Sequence, residues 1–392
     1  MKYLDEFRNP QAAQRLLERI RSRSRQPVRL MEFCGGHTHA ILKTGLRQLM
    51  PPTVSLLSGP GCPVCVTSSG DVDRAIAMAL LPGVILATFG DMVRVPGTSP
   101  PAPPAKNAGR SSGLPMTEKM SSGEGSTTLQ EAKAQGADVR MVYSTLDALV
   151  MARANPERPV IFLGVGFETT APTVAAAVLQ AQAEGLRNFY VLSLHKLTPP
   201  ATRAILDAGE VHLSGIIGPG HVTTVIGANA WGFLPQDYGI PCAIAGFEPL
   251  DVLQAIDSLV EMVECGRPAV SNNYARSVRP EGNRVAQQLM AQVFQVTGAE
   301  WRGLGSVPAS GLALREEYAA FDALRQFPVQ VSASQEPKGC RCGEILRGVL
   351  EPAQCPLFGR ACVPEHPIGP CMVSSEGACA AHLLYSYTAG EA

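Results

Sequence analysis

Eight short runs of apolar and β-branched residues recur between Val28 and Ala245, each separated from the next by a helix-sized interval. They are Val28–Phe33, Val54–Leu57, Val84–Phe89, Val139–Tyr143, Val160–Gly164, Phe189–Leu194, Gly215–Ile217 and Cys242–Ala245. Alanine-rich segments such as Thr173–Glu184 and Pro199–Leu206 supply crossover helices. This alternation is the mark of βαβ units and predicts an α/β fold. Two groups of four runs predict two doubly wound parallel-sheet domains facing a cleft, a first over 1–150 and a second over 151–270. After residue 250 helical periodicity takes over, at Val252–Val263, Arg284–Phe294 and Leu312–Phe327, and a cysteine-rich, turn-rich unit closes the chain. Residues 271–392 are read as that helical segment plus the C-terminal unit. From Pro96 to Thr128 the pattern collapses: Pro, Gly and Ser make 17 of 33 residues, which predicts a long surface loop inserted in the first domain.

The remaining composition excludes several function classes. Thirty-three basic against 34 acidic residues leave a net charge of −1, so no global charge draws the chain to nucleic acid or a membrane surface. The arginines from Arg15 to Arg29 read as a solvated helix face. The longest apolar run, Ala75 to Phe89, is broken by Pro82-Gly83 and is shorter than the ~20 residues of a membrane span. The N-terminus carries Asp5 and Glu6 and lacks the apolar stretch of a signal peptide, so a cytoplasmic location is expected. Eleven cysteines in 392 residues are too few for a disulfide scaffold, and in a reducing compartment they point to metal or redox chemistry.

Ligands of open α/β sheets bind beyond the carboxyl ends of the strands. The unusual residues follow seven of the eight runs there: Cys34-Gly-Gly-His37-Thr-His39, Gly59-Pro-Gly-Cys62-Pro-Val-Cys65, Gly90-Asp91, Gly166-Phe-Glu168-Thr-Thr170, His195-Lys196, Gly220-His221 and Gly246-Phe-Glu248. A thiol beside two imidazoles on a glycine turn suits a soft metal site or an activated nucleophile. Cys62-x-x-Cys65 suits a dithiol/disulfide pair, its thiols favoured as thiolates by a following helix, or half of a zinc site with Cys34 as a further ligand. Glu168 and Glu248 are lone carboxylates in apolar surroundings, proton carriers if burial raises their pKa and otherwise helix N-terminal carboxylates. His195 and His221 serve equally well as hydrogen-bonding residues at an interface, while Cys242 and Cys265 read as inert.

The last unit holds Cys340, Cys342, Cys355, Cys362, Cys371 and Cys379. Six cysteines within 40 residues, with proline and glycine between them, signal a metal site. Four thiolates would bind a 4Fe–4S cluster, with two thiols left to form a disulfide beside it; zinc is the competing occupant.

Taken together, these motifs and the tail Gly369-Pro-Cys-Met-Val-Ser-Ser-Glu-Gly-Ala-Cys379 resemble the HypD maturation factors of nickel–iron hydrogenases over nearly the whole chain. The segment Phe89-Gly-Asp-Met-Val-Arg-Val-Pro96 belongs to the same resemblance, and the Pro/Ser-rich insertion after it is a departure. The resemblance implies two α/β domains and a C-terminal iron–sulfur domain. It also implies a role in building an iron centre that carries two cyanides and one carbon monoxide, with a HypC-type chaperone and a HypE-type cyanide donor as partners. By that resemblance Cys34 holds the iron together with a HypC cysteine, His37 is its neighbour, and Cys62 and Cys65 are the redox-active pair. The family's C-x12-C-x6-C-x16-C cluster motif falls on Cys342, Cys355, Cys362 and Cys379, leaving Cys340 and Cys371 as an accessory redox pair. The competing functions are a stand-alone 4Fe–4S-dependent disulfide reductase and a zinc-binding interaction module.

Overall fold

The computed structural model describes residues 7–97, 128–331 and 336–386. Most of the insertion expected over 96–128, residues 98–127, lies outside the described residues. Eleven strands are described: β1 (Val28–Glu32), β2 (Val54–Ser58), β3 (Ile85–Thr88), β4 (Asp138–Met141), β5 (Val160–Gly164), β6 (Phe189–Ser193), β7 (Gly215–Pro219), β8 (Cys242–Ala245), β9 (Val270–Asn272), β10 (Phe294–Trp301) and β11 (Gly305–Leu314). All eight expected strands are present.

They form two parallel sheets and one antiparallel hairpin. One sheet has the order β2-β1-β7-β8-β9, the other β4-β3-β5-β6, and β10 pairs with β11. In both parallel sheets every residue of β3, β5, β7 and β8 is buried. Strands covered on both faces show such continuous apolar runs because helices lie on each side. In β5, Val160 and Phe162 face the helices Thr145–Ala154 and Ala171–Ala183. Ile161 and Leu163 face the helix Ser69–Ala79 on the other side. In the five-stranded sheet, Leu30 and Ile217 meet the helices Pro10–Arg23 and Pro249–Glu264, while Met31 and Ile216 meet Trp231 and Leu234. Helix starts follow local chemistry. Ser144 and Asp147 form a capping box, as do Thr128 and Glu131, and proline occupies the first turn at Pro10, Pro172 and Pro249. Arg19 and Arg23 pair with Asp257 on the neighbouring helix, as suits a helix face.

The sheets do not divide the chain at residue 150. β3 pairs with β4 on one side and with β5 on the other, so a boundary there would cut the four-stranded sheet. That whole sheet, 85–193, is inserted between β2 and β7 of the other. The physical reason is that parallel strands join through crossovers, and a crossover can carry a complete sheet as easily as one helix. A second difference lies at 294–327. Helices occupy 249–264 and 284–293 as the periodicity predicts, but Leu312–Phe327 is the end of β11, a 3-10 turn and one short helix. Gly303 (φ 82°) and Gly305 (φ 70°) reverse the chain, and Leu312–Leu314 pair with Phe294–Val296. Among the described residues no helix is long and apolar enough to cross a membrane.

Phe162 is fully buried and meets Phe89 edge-on with centroids 5.6 Å apart. Phe162→Ala should cost about 3–5 kcal/mol of unfolding free energy, read as a lower denaturant midpoint in equilibrium unfolding.

Candidate functional site

Each sheet has a switch point where strand order reverses, between β1 and β7 in one and between β3 and β5 in the other. Cys34 follows β1 directly and caps the helix Gly35–Lys43. Its amide donates to Glu32 Oε2 at 3.1 Å, and Thr38 donates its hydroxyl to the other Glu32 oxygen. The Gly35 amide donates to Gly61 O at 3.0 Å. A Cβ at Gly61 would overlap the Cys34 backbone, and one at Gly35 would overlap Glu376. Glycine at these two positions therefore lets three loops meet backbone to backbone. Cys34 is half-buried as a residue; burial of its thiol, then the carboxylates of Glu376 and Glu32, push its pKa up to about 12. A free thiol there stays protonated, and a metal would have to ionise it.

His37 is fully buried, with Nε2 3.2 Å from Ala245 O and 3.0 Å from Gly246 O. Two carbonyls at Nε2 require the hydrogen to sit there, which leaves Nδ1, without a hydrogen-bond partner, as a lone-pair atom. Burial lowers the pKa to about 4, so the ring is neutral. It stacks on Phe247 (4.7 Å), which also meets His221 (4.0 Å) and approaches Gly36. His39 Nε2 shares a hydrogen bond with the Tyr385 hydroxyl at 3.1 Å.

Cys62 caps the four-residue helix Pro63–Val66, and its sulfur accepts the Cys65 amide at 3.2 Å. Both thiols are free and buried. The Cys65 thiol donates to Pro370 O at 3.8 Å, one residue from Cys371. A lowered thiol pKa was the expectation from a following helix; instead burial, with Cys62 as neighbour, raises that of Cys65 well above its ordinary value. The helix is one turn long and the desolvation of the sulfur outweighs its dipole.

The C-terminal cysteines require a correction. Cys342 is disulfide-bonded to Cys371, with Cα atoms 6.3 Å apart, so Cys342 is not one of four free ligands and Cys340 is not the partner of Cys371. The free thiols are Cys340, Cys355, Cys362 and Cys379. All six sulfur residues line one apolar pocket, with Ile345, Leu357 and Met372 among its walls. Cys340 is pushed up to about 11 by burial, and each of Cys340 and Cys379 feels the charges of Cys355 and Cys362. Gly369 lies so close to the Cys340 sulfur that a Cβ would meet it at 2.5 Å, and the Ile368 amide donates to Cys362 Sγ at 3.3 Å. Four mutually close thiols, an apolar wall and an amide donor to sulfur fit the donor set of an iron–sulfur cluster. Among the described residues no group of three or more His, Cys, Asp or Glu is arranged to hold a single metal ion.

The other carboxylates divide. Glu248 caps the helix Pro249–Glu264, and Arg8 holds it below the usual carboxylate range, so it is the helix N-terminal carboxylate. Glu168 is buried; Oε1 accepts from the Thr198 amide (2.8 Å) and hydroxyl (3.2 Å), Oε2 has no hydrogen-bond partner, and burial raises its pKa to about 7. Its neighbour Phe167 stacks on Trp301 in the same apolar cluster as Cys62 and Cys65. Lys196 is buried, donates to Glu300 O at 2.6 Å and lies 3.9 Å from Asp71, while His195 bonds Ser193 at 3.0 Å. Cys242 is buried in β8 and Cys265 is exposed at a helix end, away from the cluster of thiols. Sequence reasoning did not single out Glu32, Glu376 or Arg302. For Glu376 the signal was available in the Ser-Ser-Glu-Gly turn two residues before the Ala-Cys pair that ends the tail motif.

A sequence profile labelled HypD and described as "Hydrogenase formation hypA family" matches residues 11–112 and 117–387. The chain is 47% identical to the hydrogenase maturation factor HypD of Azotobacter vinelandii over 98% of this chain and 97% of that protein. It is 47% identical to the hydrogenase expression/formation protein HupD of Azotobacter chroococcum, with the same coverage. It is 43% identical to the hydrogenase maturation factor HypD of Escherichia coli over the whole of both chains.

Because the fold favours the neutral Glu168 carboxyl, its contribution to stability declines as pH rises from the ordinary 4.5 through about 7. Glu168→Gln keeps the acceptor for Thr198 and removes the ionisation. The variant should lose about 3 kcal/mol less stability than the parent across that interval, measured as denaturant midpoint against pH.

Proposed function

Because the chain belongs to the HypD family of hydrogenase maturation factors, we propose that it is the scaffold on which iron is held while cyanide and carbon monoxide are attached. The observation that carries this reading is the meeting of Cys34, the Cys62/Cys65 pair and the C-terminal cysteines through backbone contacts at Gly35, Gly61 and Pro370. Iron with its ligands is the cargo. Cys34 is the thiolate anchor, sharing the iron with a cysteine of a HypC-type chaperone, and a HypE-type protein delivers cyanide. Phe247 and the neutral, buried His37 keep water from the anchor, and the unpartnered His37 Nδ1 is a base or acceptor beside it. The reaction takes place in the cytoplasm.

Redox chemistry belongs to two adjacent two-electron couples. A Cys62/Cys65 dithiol and the Cys342–Cys371 disulfide exchange through a mixed disulfide: one S–S bond forms between Cys62 and Cys65, one breaks, and two protons pass to Cys342 and Cys371. Cys342 and Cys371 thereby take the place expected for Cys340 and Cys371 as the accessory redox pair. Cys340, Cys355, Cys362 and Cys379 would hold a 4Fe–4S cluster as the resident group, which when bound would supply electrons one at a time.

Anaerobically purified protein should be brown, with iron and acid-labile sulfide in equal amounts. Cys355→Ser should lose both, while Cys342→Ser keeps the sulfide and the colour. Cys34→Ser should keep the cluster yet lack the infrared bands of cyanide and carbon monoxide seen when the parent is isolated with its HypC- and HypE-type partners. Colourless protein with stoichiometric zinc would sink the cluster reading, and thiol-substrate turnover without partner proteins would favour a stand-alone reductase.

A further inference from the structure

Arg302 sits in the tight turn between β10 and β11 and is 1% exposed. A buried guanidinium is costly unless its donors are used. Its amide donates to Val66 O at 2.9 Å and its Nε to Thr67 O at 3.0 Å, so it clamps the end of the Cys62–Cys65 helix. Nη1 pairs with Glu336, whose own side chain is half exposed. Nη2 is buried and has no hydrogen-bond partner. Next to it in the chain, Trp301 joins the apolar cluster that contains Cys62, Cys65, Cys342, Cys355, Cys362, Cys371 and Cys379. Gly303, one residue on, packs backbone to backbone on Gly343, beside Cys342.

We propose that Arg302 is a positioning residue that ties the Cys62–Cys65 loop to the four-thiol pocket and sets the reduction potential of the group held there. This rests on the cluster reading above. The chemistry is electrostatic. Adding an electron to a thiolate-bound cluster adds negative charge in an apolar pocket, where a fixed cation with a spare N–H donor favours the reduced state. Glu336 opposes that effect by neutralising part of the same charge. The planar fork matters less than the charge for the potential, whereas the clamp on Thr67 needs a donor placed at Nε.

The test is an EPR-monitored redox titration of the anaerobic full chain, with iron and sulfide content measured on every sample. Arg302→Met should lower the midpoint potential by at least the equivalent of a tenfold change in the reduced-to-oxidised ratio, about 59 mV for one electron. Arg302→Lys should restore most of it. Glu336→Gln, at a half-exposed position, should move the potential upward. If Arg302→Met fails to fold or load, the Glu336→Gln shift decides alone. Unchanged potentials in loaded Arg302→Met and Glu336→Gln samples overturn the proposal while leaving the cluster reading intact. Parent protein without iron and sulfide overturns the cluster reading, and this proposal falls with it.

Discussion

The site depends on backbone packing at two glycines. Gly35 and Gly61 leave no room for a Cβ, because the loop after β1, the loop after β2 and the turn at Glu376 occupy the space where one would stand. Any side chain there would push the C-terminal unit away from Cys34 or tilt the Cys62–Cys65 helix. The hydrogen bond from Gly35 to Gly61 and the Cys65 contact to Pro370 exist only because of that approach. Residues 62–65 and the C-terminal cysteines thus share one apolar cluster, and the Cys34 loop packs against both segments through Gly35 and Gly61.

Burial governs the charges around these loops. Cys34, His37, Glu32 and Glu168 all have pKa values displaced toward their neutral forms, and burial is the first cause in each case. A site that keeps its own groups neutral is a poor place for free ions and a good place for a thiolate-bound metal, whose charge is shared with its ligands. Buried charged groups nearby have partners: Asp251 is fully buried against Arg276, and Lys196, whose pKa burial also displaces toward its neutral form, is tied to the hairpin and to Asp71. Arg302, next in the chain to Trp301 of the sulfur cluster, keeps one buried donor without a hydrogen-bond partner.

The strands were legible because sheets buried on both faces leave continuous apolar runs, and the loops after them were legible because glycine, cysteine and histidine are rare together. The weave of the two sheets was not. β1 and β2 belong with β7, across more than a hundred residues, and nothing in the composition of β3–β6 says that they close on themselves. The β10 strand was missed for a different reason. Only its two end residues, Phe294 and Trp301, are buried, so it has neither alternation nor an apolar run to announce it. The buried residues Glu32 and Arg302 went unnoticed because a single charged residue in a strand or turn carries no sequence signal until its burial is known.

The cysteine pairing shows the same limit at the scale of two residues. Cys340 and Cys342 are separated by Arg341 alone, and spacing rules can assign either to a four-cysteine motif. Their surroundings differ sharply. Cys342 opens the short helix Cys342–Leu346, is 2% exposed and meets Cys371, which the Pro370–Met372 turn holds in place. Cys340 lies before the helix, against Gly369, and lines the same pocket as Cys355 and Cys362. The choice between disulfide partner and cluster ligand is therefore made by the helix start at residue 342, which turns one sulfur toward Cys371 and leaves the other to the pocket. A disulfide at that position also fixes the pocket wall next to Pro370, so the sulfur pair that would exchange with Cys62 and Cys65 and the thiols that would hold a cluster share one rigid turn.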